Sequence, residues 1–554
     1  MASASAKDSD IPSTSSACDF QFAHRVSFKE DAVLIPGPGA DTVEKSNKRH
    51  SGSTLKPSLK ESNVANRNGR NTARSEEEDP WVPQYTLCLD GGGIRGMSTL
   101  LILRRLMDVI KEVEQTINPA AASSTTPYMF PGRQRRDAEP ITKSAASSPT
   151  AQSSIHTIEN SAFLPCHYFD YIAGTSTGGL IAIMLSRLRM TVDECLEEYT
   201  ILGNEVFGRP RAKRVFIPRS LKLDSLEART GRLERMLRTI VESKGSKESV
   251  DKIDHFASRP DSCRTIVVTV RKSSSSSVPY LLRTYNHPTA GEEFDPLERN
   301  PGDPLDCSVW EAARATSAAP TYFKAVRIKG QKFLDGGLVS NNPTWLVMNE
   351  VCQMHGSRDS IDLCLSIGTG CAPVRSKNGI SLTRVLMPYK VGTPRQSQEQ
   401  VGLEIEDGRY ERCKYERFDI GSVWDVGSTK SEWKLWRSDS TMDSIRNATS
   451  TYLNRQDIKK SLEEVAQMLV RQRRLRAKTS RWETFVFGVN YRCEANLCPT
   501  PQKLWKNRDE LVAHMQRSHN QESPGPDNID AIEEMLERCK TRQWSYDKIA
   551  IDIA

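Results

Sequence analysis

From about residue 81 onward, short apolar runs of strand length are followed by glycine-rich turns and then by helical periodicity. Residues 85–89 (YTLCL) form one such run, and beyond the glycines at 91–96 the residues Leu100, Leu103, Met107 and Ile110 recur at three- and four-residue intervals. That spacing predicts an amphipathic helix entered directly from a strand. The same order returns in "CHYFDYIAGTSTGGLIAIML". Further apolar runs at 265–270, 280–284, 332–334 and 363–367 predict strands, and 308–316 predicts a helix. Strands alternating with helices predict an α/β sandwich with a largely parallel sheet. Closer to the C-terminus, Ile458, Leu462, Val465 and Leu469 share one face of a helix predicted over 455–478, which ends in the basic run "RQRRLRAK".

The polar stretches set the boundaries. Residues 1–80 are rich in Ser, Asn, Lys and Glu and offer too little apolar surface to offset ordering entropy, so a disordered tail is expected. A low-complexity insertion is expected at 118–160. The remaining chain divides into a domain over 81–450, a basic amphipathic helix over 451–480, a compact segment over 488–522 and a tail over 523–554. A mean hydropathy of −0.54 fits this share of polar tail. Charge decides little: 77 basic against 70 acidic residues neither demands nor excludes an anionic partner. No apolar run approaches the roughly 18 residues of a membrane span, so contact with lipid would be peripheral. The 13 cysteines lack framework spacing and the first residues lack a signal-peptide core, which points to a cytoplasmic or nuclear compartment.

Two glycine turns carry the candidate chemistry. Gly91 to Gly96 have the GxGxxG spacing of a dinucleotide site, which also needs a second strand ending in a carboxylate about 20 residues on. Here the helix continues through Glu112 and Glu114 into the insertion, and no Lys-Ser or Lys-Thr pair follows to make a phosphate loop. Backbone N–H groups at a helix start bind an acyl oxyanion as readily as a phosphate. The second turn, 174–178 (GTSTG), is a GxSxG nucleophile elbow that would lift Ser176 above the sheet. Asp335 in "FLDGGLVSNNP" is one candidate base. His355 is the other, because the order Ser176, Asp335, His355 matches an α/β-hydrolase triad.

With DGGGIRG, GTSTG and DGG in this order and "SIGTG" following, the chain resembles the patatin-like phospholipases over roughly residues 81–450. The resemblance implies a three-layer α/β/α fold and calcium-independent hydrolysis of lipid acyl esters, with no catalytic cofactor. It also implies a Ser-Asp dyad without histidine: Ser176 as nucleophile within an elbow of Gly174, Thr175, Thr177 and Gly178, and Asp335 as base. Gly91, Gly92, Gly93, Ile94, Arg95 and Gly96 would form the oxyanion hole. The substrate implied is a phospholipid or related acyl lipid at a membrane surface. The insertion at 118–160 departs from the compact family pattern and bears on access to the site.

A separate motif lies at 491–519. Cys493 and Cys498 are followed by His514 and His519, with four residues inside each pair, the spacing of a two-Cys, two-His zinc finger. One structural zinc ion is expected there, with a protein or nucleic-acid partner as the binding alternative. On that alternative the chain would be an interaction protein with an idle hydrolase domain.

Overall fold

The computed structural model describes residues 78–119, 121, 123–125, 163–207, 226–244, 254–273, 277–288, 300–320, 322–370, 401–405, 407–421, 439–520, 523–525 and 528–541. Most of the tail over 1–80 and of the insertion over 118–160 therefore lies outside the described residues. Where the insertion is described it is not superficial: Ser123 and Ser124 are fully buried, and the Ser124 hydroxyl lies 2.7 Å from His167 Nδ1.

β1 (Gln84–Leu89) passes through a single 3-10 turn at Gly93–Arg95 into α1 (Gly96–Ile117). β2 (Tyr171–Thr175) enters α2 (Thr177–Ala182), and α3 (Val192–Phe207) and α4 (Leu226–Lys244) follow. Next come β3 (Arg264–Lys272), β4 (Ser277–Arg283), α5 (Val309–Thr316), β5 (Val326–Ile328) and β6 (Gln331–Asp335). α6 (Thr344–His355), β7 (Ile361–Ile367), β8 (Lys414–Phe418), α7 (Asp439–Leu453), α8 (Gln456–Arg476) and α9 (Arg481–Phe487) complete this part. The C-terminal module contains β9 (Asn490–Arg492), β10 (Leu504–Trp505), α10 (Arg508–Ser518), α11 (Ile529–Cys539) and β11 (Lys540–Thr541).

Among the described residues the main sheet has eight strands in the order β5-β6-β3-β2-β1-β7-β8, with β4 on the other edge of β3. β3, β2, β1, β7 and β8 run parallel, β4 and β6 run antiparallel to β3, and β5 pairs antiparallel with β6, so the sheet is mixed. Side-chain alternation divides the core into two layers. Leu87, Leu89, Ile172, Val267 and Leu365 pack on one face with α1, α3, α4, α5 and α8. Cys88, Ala173, Ile266, Val268 and Cys364 pack on the other with α6. The result is an α/β/α sandwich.

α8 spans nearly the predicted range, and its apolar face, with Leu462, Val465 and Leu469 buried, joins the same core as α1. Its basic end turns inward as well. Arg473 is fully buried and pairs with Glu114 of α1 through Nη2 at 2.6 Å, Arg474 joins the same carboxylate at 2.8 Å, and Arg476 reaches Asp170 at 2.9 Å. Two carboxylates taken out of water need counter-ions, and this run supplies them from within the chain. The helix over 451–480 is thus part of the domain over 81–450.

The tail expected over 523–554 is corrected in the same way. β11 pairs antiparallel with β9, and Met535, Leu536 and Cys539 enter the small core around Tyr491, Trp505 and Leu511. The module expected over 488–522 therefore extends through Thr541, with residues 542–554 outside the described residues.

Candidate active site

Ser176 follows the last residue of β2 and caps α2 with φ 55° and ψ −123°, a backbone conformation an L-residue adopts only under strain. Its N–H donates to the Thr316 hydroxyl at 2.9 Å, and that hydroxyl donates to the Val268 carbonyl at 2.8 Å, so the end of α5 and β3 hold the strained turn. The glycines of the elbow answer to sterics. A Cβ on Gly174 would lie 2.1 Å from the Gly178 carbonyl oxygen, and one on Gly178 would lie 2.3 Å from that of Leu89.

The register of β3 brings Asp335 to this serine. Thr175, the last residue of β2, pairs with Val268, and Asp335, the last residue of β6, pairs with the next position, Thr269. β4 occupies the opposite edge of both positions, so β2 and β6 meet end to end along one edge of β3. The Ser176 hydroxyl donates to Asp335 Oδ2 at 2.7 Å, while Oδ1 accepts the Gly337 N–H at 2.7 Å. Asp335 is 4% exposed, and burial pushes its carboxyl up to about 6 against the opposing pull of the Ser176 and Gly337 hydrogen bonds.

His355 is not part of this arrangement. Its Nε2 lies 3.1 Å from the hydroxyl of Tyr171, the first residue of β2, whereas Ser176 lies beyond the last, roughly 16 Å further along at strand rise. Burial lowers the imidazole to about 4, helped by Arg264. A helix C-terminus against the start of the sheet puts this histidine on the wrong edge. It lines a cavity of about 730 Å³ with Gln84, Arg264 and Ser360, which sit where β1, β3 and β7 begin.

The glycine loop wraps the nucleophile from β1; a Cβ on Gly91 would lie 3.1 Å from that of Ser176. Several of its N–H groups are already committed. Asp90 donates to Ile367, Gly91 to Asn341, Arg95 to Gly92 and Gly96 to Gly93, all through carbonyls, and the Gly92 N–H donates to the Thr177 hydroxyl at 3.1 Å. Those of Gly93 and Ile94 have no acceptor among the described residues. Arg95 fastens the loop: Nη1 donates to the Gly370 carbonyl at 2.8 Å and Nε to that of Gly92 at 3.3 Å.

Two contributors lie outside the sequence expectations. Asn341 donates through Nδ2 to the Gly91 carbonyl at 3.0 Å, and Arg417 pairs with Asp90 at 2.7 Å. The twin asparagines after DGG were a visible signal for the first. Arg417 lies in β8, a strand with no apolar run to announce it, and nothing local marks it.

At the C-terminal module one ligand atom from each of Cys493, Cys498, His514 and His519 lies within 4.8 Å of the others. The cluster sits between β9, β10 and α10 in the order of a ββα finger. His519 Nε2 is buried with no hydrogen-bond partner, as a nitrogen directed at a metal would be.

Residues 154–348 match the family model described as patatin-like phospholipase. Phospholipase A I of Arabidopsis thaliana is 29% identical over 40% of this chain and 20% of its own length. The calcium-independent phospholipase A2-gamma of Oryctolagus cuniculus is 26% identical over 57% of this chain and 38% of its own length. A probable inactive patatin-like protein 9 of Arabidopsis thaliana is 29% identical over 39% of this chain and 54% of its own. The matched regions thus span well under two thirds of these relatives.

Proposed function

Because the chain carries a patatin-like phospholipase domain, we propose that it is a lipid acyl hydrolase of phospholipase A type, acting through a Ser176–Asp335 dyad. The observation that carries this reading is the 2.7 Å hydrogen bond from the Ser176 hydroxyl, on a strained elbow, to the buried carboxylate of Asp335. An idle domain has no need to keep a strained serine, a base of raised pKa and unsatisfied amides at one point.

The chemistry follows in two steps. Ser176 Oγ attacks the ester carbonyl as its proton passes to Asp335 Oδ2. The oxyanion of the tetrahedral intermediate accepts hydrogen bonds from the Gly93 and Ile94 N–H groups. Collapse breaks the acyl–oxygen bond, and the proton on Asp335 goes to the departing alcohol, leaving an acyl-serine. Water then attacks this ester, again losing its proton to Asp335, and the fatty acid leaves as Ser176 regains its hydrogen. A carboxylate titrating near 6 is a better acceptor than one at 3.8, yet remains ionised at neutral pH.

No calcium ion has a role in these steps. Asp335 spends both oxygens on Ser176 and Gly337, and Asp90 is paired with Arg417, so the carboxylates at the site are already engaged. The substrate is a membrane phospholipid or related acyl lipid reached from the surface; no helix among the described residues is long and apolar enough to cross a membrane.

The C-terminal cluster fits one structural zinc ion held by Cys493, Cys498, His514 and His519, which would cross-link the module. A nucleic-acid role gains no support from α10. Its first turn presents Asp509 and Glu510 to solvent, and Arg508 is paired with Glu533 at 2.9 Å.

The test is acyl release from a panel of phospholipid and neutral-lipid vesicles in calcium chelator, with Ser176→Ala as control. Release by the wild-type chain and none by the variant is the expected result. Equal release by both would overturn the dyad.

A further inference from the structure

Gly93 and Ile94 can stabilise an oxyanion only if their N–H groups point at it, and a glycine loop does not fix that direction unaided. In a trans peptide the carbonyl and the following N–H point opposite ways. The partners of the Gly92 and Gly93 carbonyls therefore set the direction of the Gly93 and Ile94 N–H groups. Arg95 holds the first carbonyl through its own N–H at 3.1 Å and its Nε at 3.3 Å. The second accepts the hydroxyl of Tyr199 at 2.5 Å, in addition to the Gly96 N–H.

Tyr199 belongs to α3, lies outside every sequence motif of the site and is 1% exposed. The last glycine of the GxGxxG run serves this tyrosine: a Cβ on Gly96 would lie 2.5 Å from the Tyr199 hydroxyl oxygen. The same hydroxyl neighbours that of Thr177, which accepts the Gly92 N–H. One phenol thus touches the loop and the residue following the nucleophile.

We propose that Tyr199 is a positioning residue of the oxyanion hole, whose hydroxyl clamps the Gly93 carbonyl so that the Ile94 N–H faces the reacting ester oxygen. Tyr199 touches no substrate and exchanges no proton. Its effect falls on the charged tetrahedral state, because a donor fixed in advance needs no reorganisation as charge develops. This role rests on the hydrolase reading above.

The experiment compares the full chain with Tyr199→Phe, which keeps the ring and its packing. It measures kcat and KM on a soluble aryl ester, the Ki of a trifluoromethyl ketone, thermal midpoint, and active-site count by fluorophosphonate labelling of Ser176. The ketone adds Ser176 to give a stable tetrahedral oxyanion. For Tyr199→Phe, kcat per labelled site should fall roughly ten- to a hundredfold with KM unchanged, and Ki should rise by the same factor. Gly96→Ala, which displaces the hydroxyl without removing it, should move Ki in the same direction. Glu197→Gln on the exposed side of α3 should change neither.

A Tyr199→Phe enzyme with wild-type kcat and Ki, or one whose kcat falls while Ki stays constant, overturns the clamp. Counting labelled sites keeps the comparison valid if part of the variant unfolds. An inactive Ser176→Ala beside a fully active Tyr199→Phe removes only the clamp. Equal acyl release by wild type and Ser176→Ala removes the hydrolase reading, and the clamp with it.

Discussion

Ser176 and Asp335 are 159 residues apart in sequence and joined by a 2.7 Å hydrogen bond, because consecutive positions of β3 terminate the strands that carry them. The contact is therefore a property of the sheet register. It depends on Val268 and Thr269 as much as on the two flanking loops.

If the pair works as one unit, Ser176→Ala and Asp335→Asn should each lower kcat/KM for ester hydrolysis by roughly a thousandfold or more, and the double variant should be little worse than either. His355→Ala should stay within a few-fold of wild type, since its imidazole meets Tyr171 at the other end of β2. Steady-state kinetics on purified, folded variants checks this. A His355→Ala enzyme as inactive as Ser176→Ala would restore the triad.

The pH dependence should follow Asp335. Its carboxyl is held near 6 in the folded protein against a reference of 3.8, so kcat/KM should fall as pH drops through about 6. The stability consequence has the opposite sense to an ion-paired aspartate. The folded state binds this proton more tightly than the unfolded chain, so the contribution to stability is full below 3.8 and is lost as pH rises through 6. Asp335→Asn, inactive, should then be more stable than wild type above pH 6 by about 1–3 kcal/mol, and the gain should shrink toward pH 4. Denaturant unfolding at several pH values measures it; a gain independent of pH would assign the effect to packing.

The elements nearest the chemistry were legible because their signals are local. The GxSxG and GxGxxG turns impose backbone approaches that exclude side chains, and the short apolar runs at 85–89 and 363–367 reflect strands buried on both faces. What the sequence left open depends on distant register or burial. Nothing near Tyr199 in "EYTILGN" signals its bond to Gly93, and β8 (KYERF) alternates too weakly to read as a strand. The burial of the basic run of α8 is equally silent, because Glu114, 359 residues before Arg473, gives no sequence sign that it is buried. The C-terminal helix α11 resembles a tail in sequence for a related reason: its apolar residues find their core only through the pairing of β11 with β9.

Glu114 offers a direct test of that burial. The carboxylate is fully enclosed and bonded to Arg473 and Arg474. Glu114→Gln leaves two guanidinium groups short of a counter-charge and should destabilise the fold by about 3–5 kcal/mol. Arg473→Glu should destabilise at least as strongly. A folded variant such as Arg474→Gln should bind anionic vesicles as the wild type does. Chemical denaturation checks the first statement and vesicle co-sedimentation the second; a loss of anionic-vesicle binding in Arg474→Gln with unchanged stability would place the run at a membrane surface instead.

Zinc removal should act on the C-terminal module and spare the bond-breaking step. The four candidate ligands cluster between β9, β10 and α10, and the small core of Tyr491, Trp505, Leu511 and Leu536 surrounds them. Binding a metal there ties two segments that the few apolar contacts of a module this small hold only weakly. The purified chain should contain about one zinc per molecule, and Cys493→Ser should lower that content and the module's resistance to proteolysis. α9 connects the module to the main domain: Trp482 is buried in the large core, while Glu483 faces the module and is bonded to Lys540 at 2.9 Å. Arg481 and Phe485 of that helix line the cavity where β1 and β3 begin, whereas Ser176 follows the far end of β2, so Cys493→Ser should still hydrolyse a small soluble ester at close to the wild-type rate. A stoichiometric chelator should produce the same pattern, with cleavage appearing first between residues 488 and 541. Zinc content far below one per chain, or loss of soluble-ester hydrolysis in step with zinc loss, would contradict a purely structural ion.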